Sequence, residues 1–149
     1  MAARIYTDKD ADLSWLKGKT FAVIRFGTGS CQRTQSQDNG LSVIAGLYPG
    51  SESRVRARRS RLEVMDTARA IRRGEVIFLA LPDNEMPEIY AGQVAPHLPS
   101  GQALLFAHGF AIHYRTVVPL RNVDVIMVAP KGLGPMVRRE FPLGTALPN

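Results

Sequence analysis

The sequence predicts an α/β domain built on a mostly parallel sheet. Short apolar segments of strand length alternate with segments of helical pattern, a spacing typical of parallel strands joined by crossover helices. The apolar segments show little polar alternation, which indicates strands that are buried on both faces. We therefore expect a central sheet that is covered by helices on both sides.

Length and composition indicate one ordinary globular domain. The chain has 149 residues, of which 45% are hydrophobic and 21% are charged. No apolar run approaches the roughly 20 residues needed to cross a bilayer, and the N-terminus lacks the apolar segment of a signal peptide. The single cysteine, Cys31, excludes an internal disulfide and favours a reducing compartment. We expect a cytoplasmic protein with no membrane partner.

Six strands are predicted, each from a short apolar run that ends at turn residues. They lie at 20–24, 41–47, 62–65, 76–81, 103–107 and 123–128. The first leads into a glycine turn, Gly27 and Gly29. Dinucleotide-binding units begin in this way, because glycine lets the backbone approach a pyrophosphate.

Helix starts are predicted from capping residues. Asp66 can cap a helix that runs to about residue 73, and Asp83 or Asn84 can cap one that runs to about residue 94. Pro87 then falls in a first turn, where proline is tolerated. Further helices are expected at 30–39, although that segment has almost no apolar face, and at 137–141.

The chain has a net charge of +6, and its basic residues are most concentrated in one short segment. Five arginines lie within eight positions there: Arg54, Arg56, Arg58, Arg59 and Arg61. A nucleic-acid surface is one interpretation. A solvated face near a cofactor phosphate is favoured over it, because no aromatic residues interleave the run as a single-strand binding platform requires.

Several motifs together resemble the N-terminal NADP-binding, Rossmann-like domain of ketol-acid reductoisomerase. The most specific are Phe-Ala-His-Gly-Phe-Ala-Ile-His at 106–113 and Asp-Val-Ile-Met-Val-Ala-Pro-Lys-Gly at 124–132. Supporting segments lie at 6–13, 16–19, 46–53, 81–83 and 137–140, so that the resemblance covers nearly the whole chain.

The resemblance implies a function. The family converts 2-acetolactate or 2-aceto-2-hydroxybutyrate to a dihydroxy acid in branched-chain amino acid synthesis, by magnesium-dependent alkyl migration and hydride transfer from NADPH. The magnesium carboxylates of the family lie in a C-terminal helical domain. We therefore expect residues 1–149 to be a partial Rossmann domain, truncated at the C-terminus, that lacks the metal ligands. The sequence gives no oligomeric state.

The same resemblance assigns roles to residues. His108 matches the active-site histidine, and Ser51 and Ser53 would hold the 2′-phosphate of NADP. Tyr48 stands where the family has an arginine; its ring could stack on adenine but supplies no charge. The remaining cofactor contacts would be Phe26, Gly27, Thr28, Gly29, Asp83, Asn84, Glu85, Met86 and Gly134. Turn formation by the two serines and helix capping by Asp83 are the alternative interpretations.

The segment after the first strand departs from the family pattern. Arg25 replaces the first glycine, and one residue is missing from the turn. One choice of synonymous codons for Thr28–Gln37, ACA GGG TCA TGC CAA CGC ACT CAA TCT CAG, reads one base later as Gln-Gly-His-Ala-Asn-Ala-Leu-Asn-Leu, which fits the family motif. We hypothesise two compensating indels around Thr28–Gln37, which the codons of the gene test directly.

These departures predict a degenerate cofactor turn. A side chain at Arg25 occupies the point where the backbone must turn tightly, so weak or absent NADPH binding is expected. The alternative to a reductoisomerase domain is a non-catalytic nucleotide-binding or interaction protein that uses the same fold.

Overall fold

A computed structural model of the protein describes residue 10 and residues 12–25 and 41–129. Within these ranges, six parallel strands form one sheet in the order β3-β2-β1-β4-β5-β6. The strands are β1 (Thr20–Ile24), β2 (Ser42–Gly46), β3 (Glu63–Met65), β4 (Val76–Leu79), β5 (Ala103–Phe106) and β6 (Asp124–Met127). All six predicted strands and the parallel α/β class are confirmed.

The apolar strands separate two hydrophobic cores. Because successive side chains of a strand point to opposite faces, Ile24 of β1 packs in one core and its neighbour Val23 in the other. The larger core includes Ile77, Leu104 and Phe106. Central strands β1, β2 and β4 are therefore almost fully buried, which explains why their sequences read as continuous apolar runs.

Four helices connect the strands in the described residues. They are α1 (Ser53–Arg59), α2 (Thr67–Arg73), α3 (Met86–Ile89) and α4 (Phe110–His113). A π-helical turn (Tyr90–Val94) and a 3₁₀ turn (Ala95–His97) continue α3, and a 3₁₀ turn (Leu13–Leu16) precedes β1. None of the helices in these ranges is long and apolar enough to span a membrane. The expected helices at 30–39 and 137–141 lie outside the described residues.

The predicted caps are partly wrong. Asp66 occupies the N-cap position of α2, but its carboxylate makes no capping hydrogen bond and instead accepts one from Arg54 at 3.2 Å. The N-cap of α3 is Glu85 rather than Asp83 or Asn84. Pro87 does lie in the first turn of α3, as predicted. The later start of α3 leaves Asp83 in the loop that follows β4.

Gly74 permits α2 to pack closely on the sheet, and its replacement by alanine is expected to destabilise the protein. Its φ of −75° suits any residue, but an added Cβ would lie 2.6 Å from the Cβ of Ala22. We expect Gly74→Ala to lower the free energy of unfolding by about 1–3 kcal/mol. Gly92→Ala is the matched control, because a Cβ there meets nothing within 4 Å. Equal urea midpoints for the two variants would contradict this account.

Candidate cofactor site

A crevice lies where the strand order of the sheet reverses. The chain leaves β1 toward β2 on one side and later returns to add β4 on the other. In open parallel sheets, ligands bind at such a switch point, outside the carboxyl ends of the strands. A cavity of about 230 Å³ opens there, and its lining includes Ile24, Arg25, Gly46, Tyr48, Thr67 and Glu85.

A second cavity of about 210 Å³ adjoins the first. Tyr48, Thr67 and Gln93 line both cavities. Tyr48 is 56% exposed, and its ring offers an aromatic face beside both cavities. An adenine ring can pack on such a face without requiring a charge.

The loop after β2 holds the two predicted phosphate serines in different environments. Ser51 is buried, and its backbone N–H donates to the carbonyl of Tyr48 at 3.2 Å, as a turn residue would. Ser53 is a half-buried residue at the start of α1, and its hydroxyl accepts a hydrogen bond from the Nη2 of Arg56 at 3.0 Å. Ser53 and Arg56 thus place a hydroxyl and a guanidinium side by side.

Arg54 supports this loop rather than forming part of a solvated face. Its Nη1 donates to the carbonyl of Leu47 at 2.9 Å and pairs with Asp66 at 3.2 Å. The side chain is only 22% exposed. Because these contacts join the end of β2 to the start of α2, one member of the arginine run has a structural role. Interpreting the whole run as a solvated face was therefore wrong for this residue.

Arg25 and Glu85 form an ion pair across the crevice. Arg25 follows β1 and Glu85 precedes α3, and both line the 230 Å³ cavity. The backbone of Arg25 has a φ of 66°, a conformation that glycine adopts far more readily. Its N–H still donates to the carbonyl of Gly46 at 3.1 Å, so the residue continues the sheet. The ion pair places both charges where the resemblance predicts a pyrophosphate.

His108 and Asp83 meet at the ends of neighbouring strands. The Nε2 of His108 lies 3.5 Å from the Oδ1 of Asp83, and both side chains are partly exposed. Asn84 is exposed beside them, whereas the side chain of Met86 is buried in the core at 3% exposure. A cofactor contact of Met86 would therefore have to come from its backbone.

Five of the predicted cofactor residues lie outside the described part of the chain. They are Phe26, Gly27, Thr28, Gly29 and Gly134. Among the residues that the structure does describe, no group of three or more His, Cys, Asp or Glu side chains is arranged to hold a metal ion.

Some features of the site were not predicted from the sequence. Thr67 and Gln93 line both cavities, yet neither stands in a recognisable motif. The Arg25–Glu85 pair joins residues far apart in the chain, and only the adjacency of β1 and β4 brings them together. The sequence indicated this pair only through an arginine at a glycine position. That substitution does not identify Glu85 as the partner.

Comparisons with known proteins identify the family. Residues 15–149 match the sequence profile of the acetohydroxy acid isomeroreductase NADPH-binding domain. The chain is 47% identical over 147 residues to a ketol-acid reductoisomerase (NADP(+)) of Pyrobaculum neutrophilum and 46% identical to that of Pyrobaculum calidifontis. In both cases the match covers 98% of this chain and 45% of the relative.

A solved structure shares the fold. The NADH-preferring ketol-acid reductoisomerase from an uncultured archaeon superposes with a TM-score of 0.86 at 36% identity, over 97% of this chain and 45% of that one. The profile match, the two sequence relatives and this structure agree with the parallel sheet described above. The chain therefore belongs to the acetohydroxy acid isomeroreductase family, of which it comprises the NADPH-binding domain.

Proposed function

We propose that this chain binds NADP(H) in the crevice between β1 and β4 and serves as the cofactor domain of a ketol-acid reductoisomerase. The observation that carries this proposal is the cavity at the reversal of strand order, in a chain of this family. The substrate would be a small 2-keto or 2-hydroxy acid such as 2-acetolactate, reduced in branched-chain amino acid synthesis. Since the chain spans 45% of the length of the relatives it matches, catalysis would also need the residues that correspond to the rest of those enzymes.

In this proposal, different described residues contact different parts of the cofactor. The ring of Tyr48 would pack on adenine, Arg25 would lie beside the pyrophosphate, and His108 would face the substrate at the end of β5. Magnesium, which the family requires, does not fit the described residues, because they present no cluster of ligands for it. Its ligands and the alkyl migration are therefore assigned to no residue of the described ranges.

Selectivity for NADP(H) over NAD(H) would come from Ser53 and Arg56. The named relatives include both an NADP(+) enzyme and an NADH-preferring one, so the family alone does not decide the cofactor. Tyr48 supplies no charge, and the guanidinium of Arg54 is committed to backbone carbonyls and Asp66. We assign the 2′-phosphate to Arg56, because it is exposed and its guanidinium donates to the hydroxyl of Ser53.

Replacing Arg56 by alanine is expected to weaken NADPH binding about fivefold while leaving NADH binding unchanged. The size follows from about 1 kcal/mol for an exposed ion pair. Arg58→Ala is the matched control, because Arg58 is exposed on the same short helix and is equally charged. Dissociation constants for both cofactors can be measured by fluorescence titration. An equal loss of NADPH affinity in the two variants would assign the effect to net charge instead.

The function itself is tested by binding and then by turnover. Saturable NADPH binding by the purified chain supports the cofactor-domain role, and the absence of binding at millimolar NADPH contradicts it. Turnover of 2-acetolactate with NADPH and magnesium, after addition of the remaining part of a related reductoisomerase, supports the enzymatic role. Binding without turnover in that mixture would favour the non-catalytic nucleotide-binding alternative.

A further inference from the structure

The pair formed by Asp83 and His108 follows from the topology of the sheet. Strands β4 and β5 are parallel neighbours, with Phe78 opposite Leu105. Both strands end at the same edge, so the loops that follow them lie side by side. Asp83 is in the loop after β4 and His108 is in the loop after β5, which brings Oδ1 and Nε2 to 3.5 Å.

The carboxylate of Asp83 has one oxygen in an unusual environment. Its Oδ1 is buried and forms no hydrogen bond, although the side chain as a whole is 40% exposed. A buried acceptor without a donor is unfavourable, because it has lost its hydrogen bonds to water. Because Glu85 rather than Asp83 is the N-cap of α3, helix capping does not account for this oxygen. The imidazole of His108, with its Nε2 at 3.5 Å, is a donor that could satisfy it.

We propose that Asp83 is the positioning residue for His108. In this proposal Oδ1 accepts a hydrogen bond from Nε2–H, through a small rotation that shortens the 3.5 Å separation. A neutral imidazole held in this way carries its proton on Nε2 and presents the lone pair of Nδ1. That nitrogen can then take a proton from a substrate hydroxyl and return it, with the charge of the imidazolium balanced by the carboxylate.

The role of His108 as a proton acceptor rests on the proposed function. The hydrogen bond that positions its ring does not. The ring position and its tautomer are properties of the free protein and can be measured without cofactor or substrate. Failure of NADPH binding would overturn the proposed function and leave the Asp83–His108 interaction to be judged on its own measurement.

The test is the tautomer of His108, read from long-range ¹H–¹⁵N spectra of the labelled chain at a pH where the ring is neutral. A hydrogen bond to a carboxylate is worth about 1.5–3 kcal/mol, so we expect the Nε2–H form to exceed the Nδ1–H form by more than about tenfold. Asp83→Ala should return the ratio to that of an unrestrained histidine. Asp83→Asn keeps an acceptor oxygen and should retain most of the preference.

The controls separate positioning from folding. Asn84→Ala changes the adjacent exposed residue and should leave the His108 spectrum unaltered. His113, which is exposed on α4, provides an internal reference in every spectrum. A wild-type ratio equal to that of His113, or a dominant Nδ1–H form, overturns the proposal. If Asp83→Ala does not fold, the wild-type ratio and Asp83→Asn still decide the question.

Discussion

Glu85→Gln is expected to tighten the binding of NADPH about tenfold. In the free protein the carboxylate of Glu85 pairs with Arg25 at the crevice where a pyrophosphate would lie. The substitution removes a negative charge that repels the phosphates and releases the guanidinium to meet them. Two unit charges about 4 Å apart interact by roughly 1 kcal/mol in water and more near a protein surface, which sets the expected size. Fluorescence titration of both proteins measures the change.

Two further measurements test the origin of that gain. Glu88→Gln is the matched control, because Glu88 lies exposed in α3, the helix whose N-cap is Glu85, and outside the cavity. It should leave the affinity unchanged. The gain from Glu85→Gln should appear with ADP-ribose, which carries the pyrophosphate, and not with adenosine. It should also shrink as salt is raised. A gain of equal size in both variants would show that total charge, rather than this ion pair, limits binding.

Phe106→Ala is expected to cost about 3–5 kcal/mol of unfolding free energy, a large share of the roughly 5–15 kcal/mol of a typical domain. Phe106 is 1% exposed at the end of β5 and is among the largest fully buried side chains. Phe110→Ala makes the same chemical change at a ring that is 44% exposed, so it should cost far less. Urea unfolding monitored by circular dichroism compares the two. Similar midpoints would mean that the core does not depend on Phe106.

The strands were predictable because their environment is uniform. A central parallel strand is buried on both faces, so its sequence must be apolar throughout, as Ala22-Val-Ile24 and Val76–Leu79 are. The helix starts were less predictable. Asp66 and Asp83 are both good capping residues by type, yet one carboxylate pairs with Arg54 and the other approaches His108. In both cases the carboxylate interacts with a side chain from another element instead of capping the helix, and such an interaction cannot be predicted from local sequence.

The site was predictable only as far as its motifs extend. The resemblance placed Tyr48, Ser53 and His108 near a cofactor, and the structure brings Tyr48 to the crevice lining. The roles of all the predicted contacts, that of Tyr48 included, stay predictions. The distinct functions of two neighbouring arginines could not be predicted, because Arg54 turns toward backbone carbonyls while Arg56 turns toward Ser53. The sequence of an arginine-rich segment does not indicate which guanidinium donates hydrogen bonds to backbone carbonyls.

The sequence by itself determined the class of fold, the positions of six strands along the chain and the family, because apolar runs and long motifs are local properties of the chain. It also marked Arg25 as foreign to a glycine turn. Only the tertiary structure decided that Arg25 faces Glu85 and that Asp83 faces His108. Both pairs join residues that follow two neighbouring strands, and they meet because the carboxyl ends of parallel strands lie at one edge of the sheet.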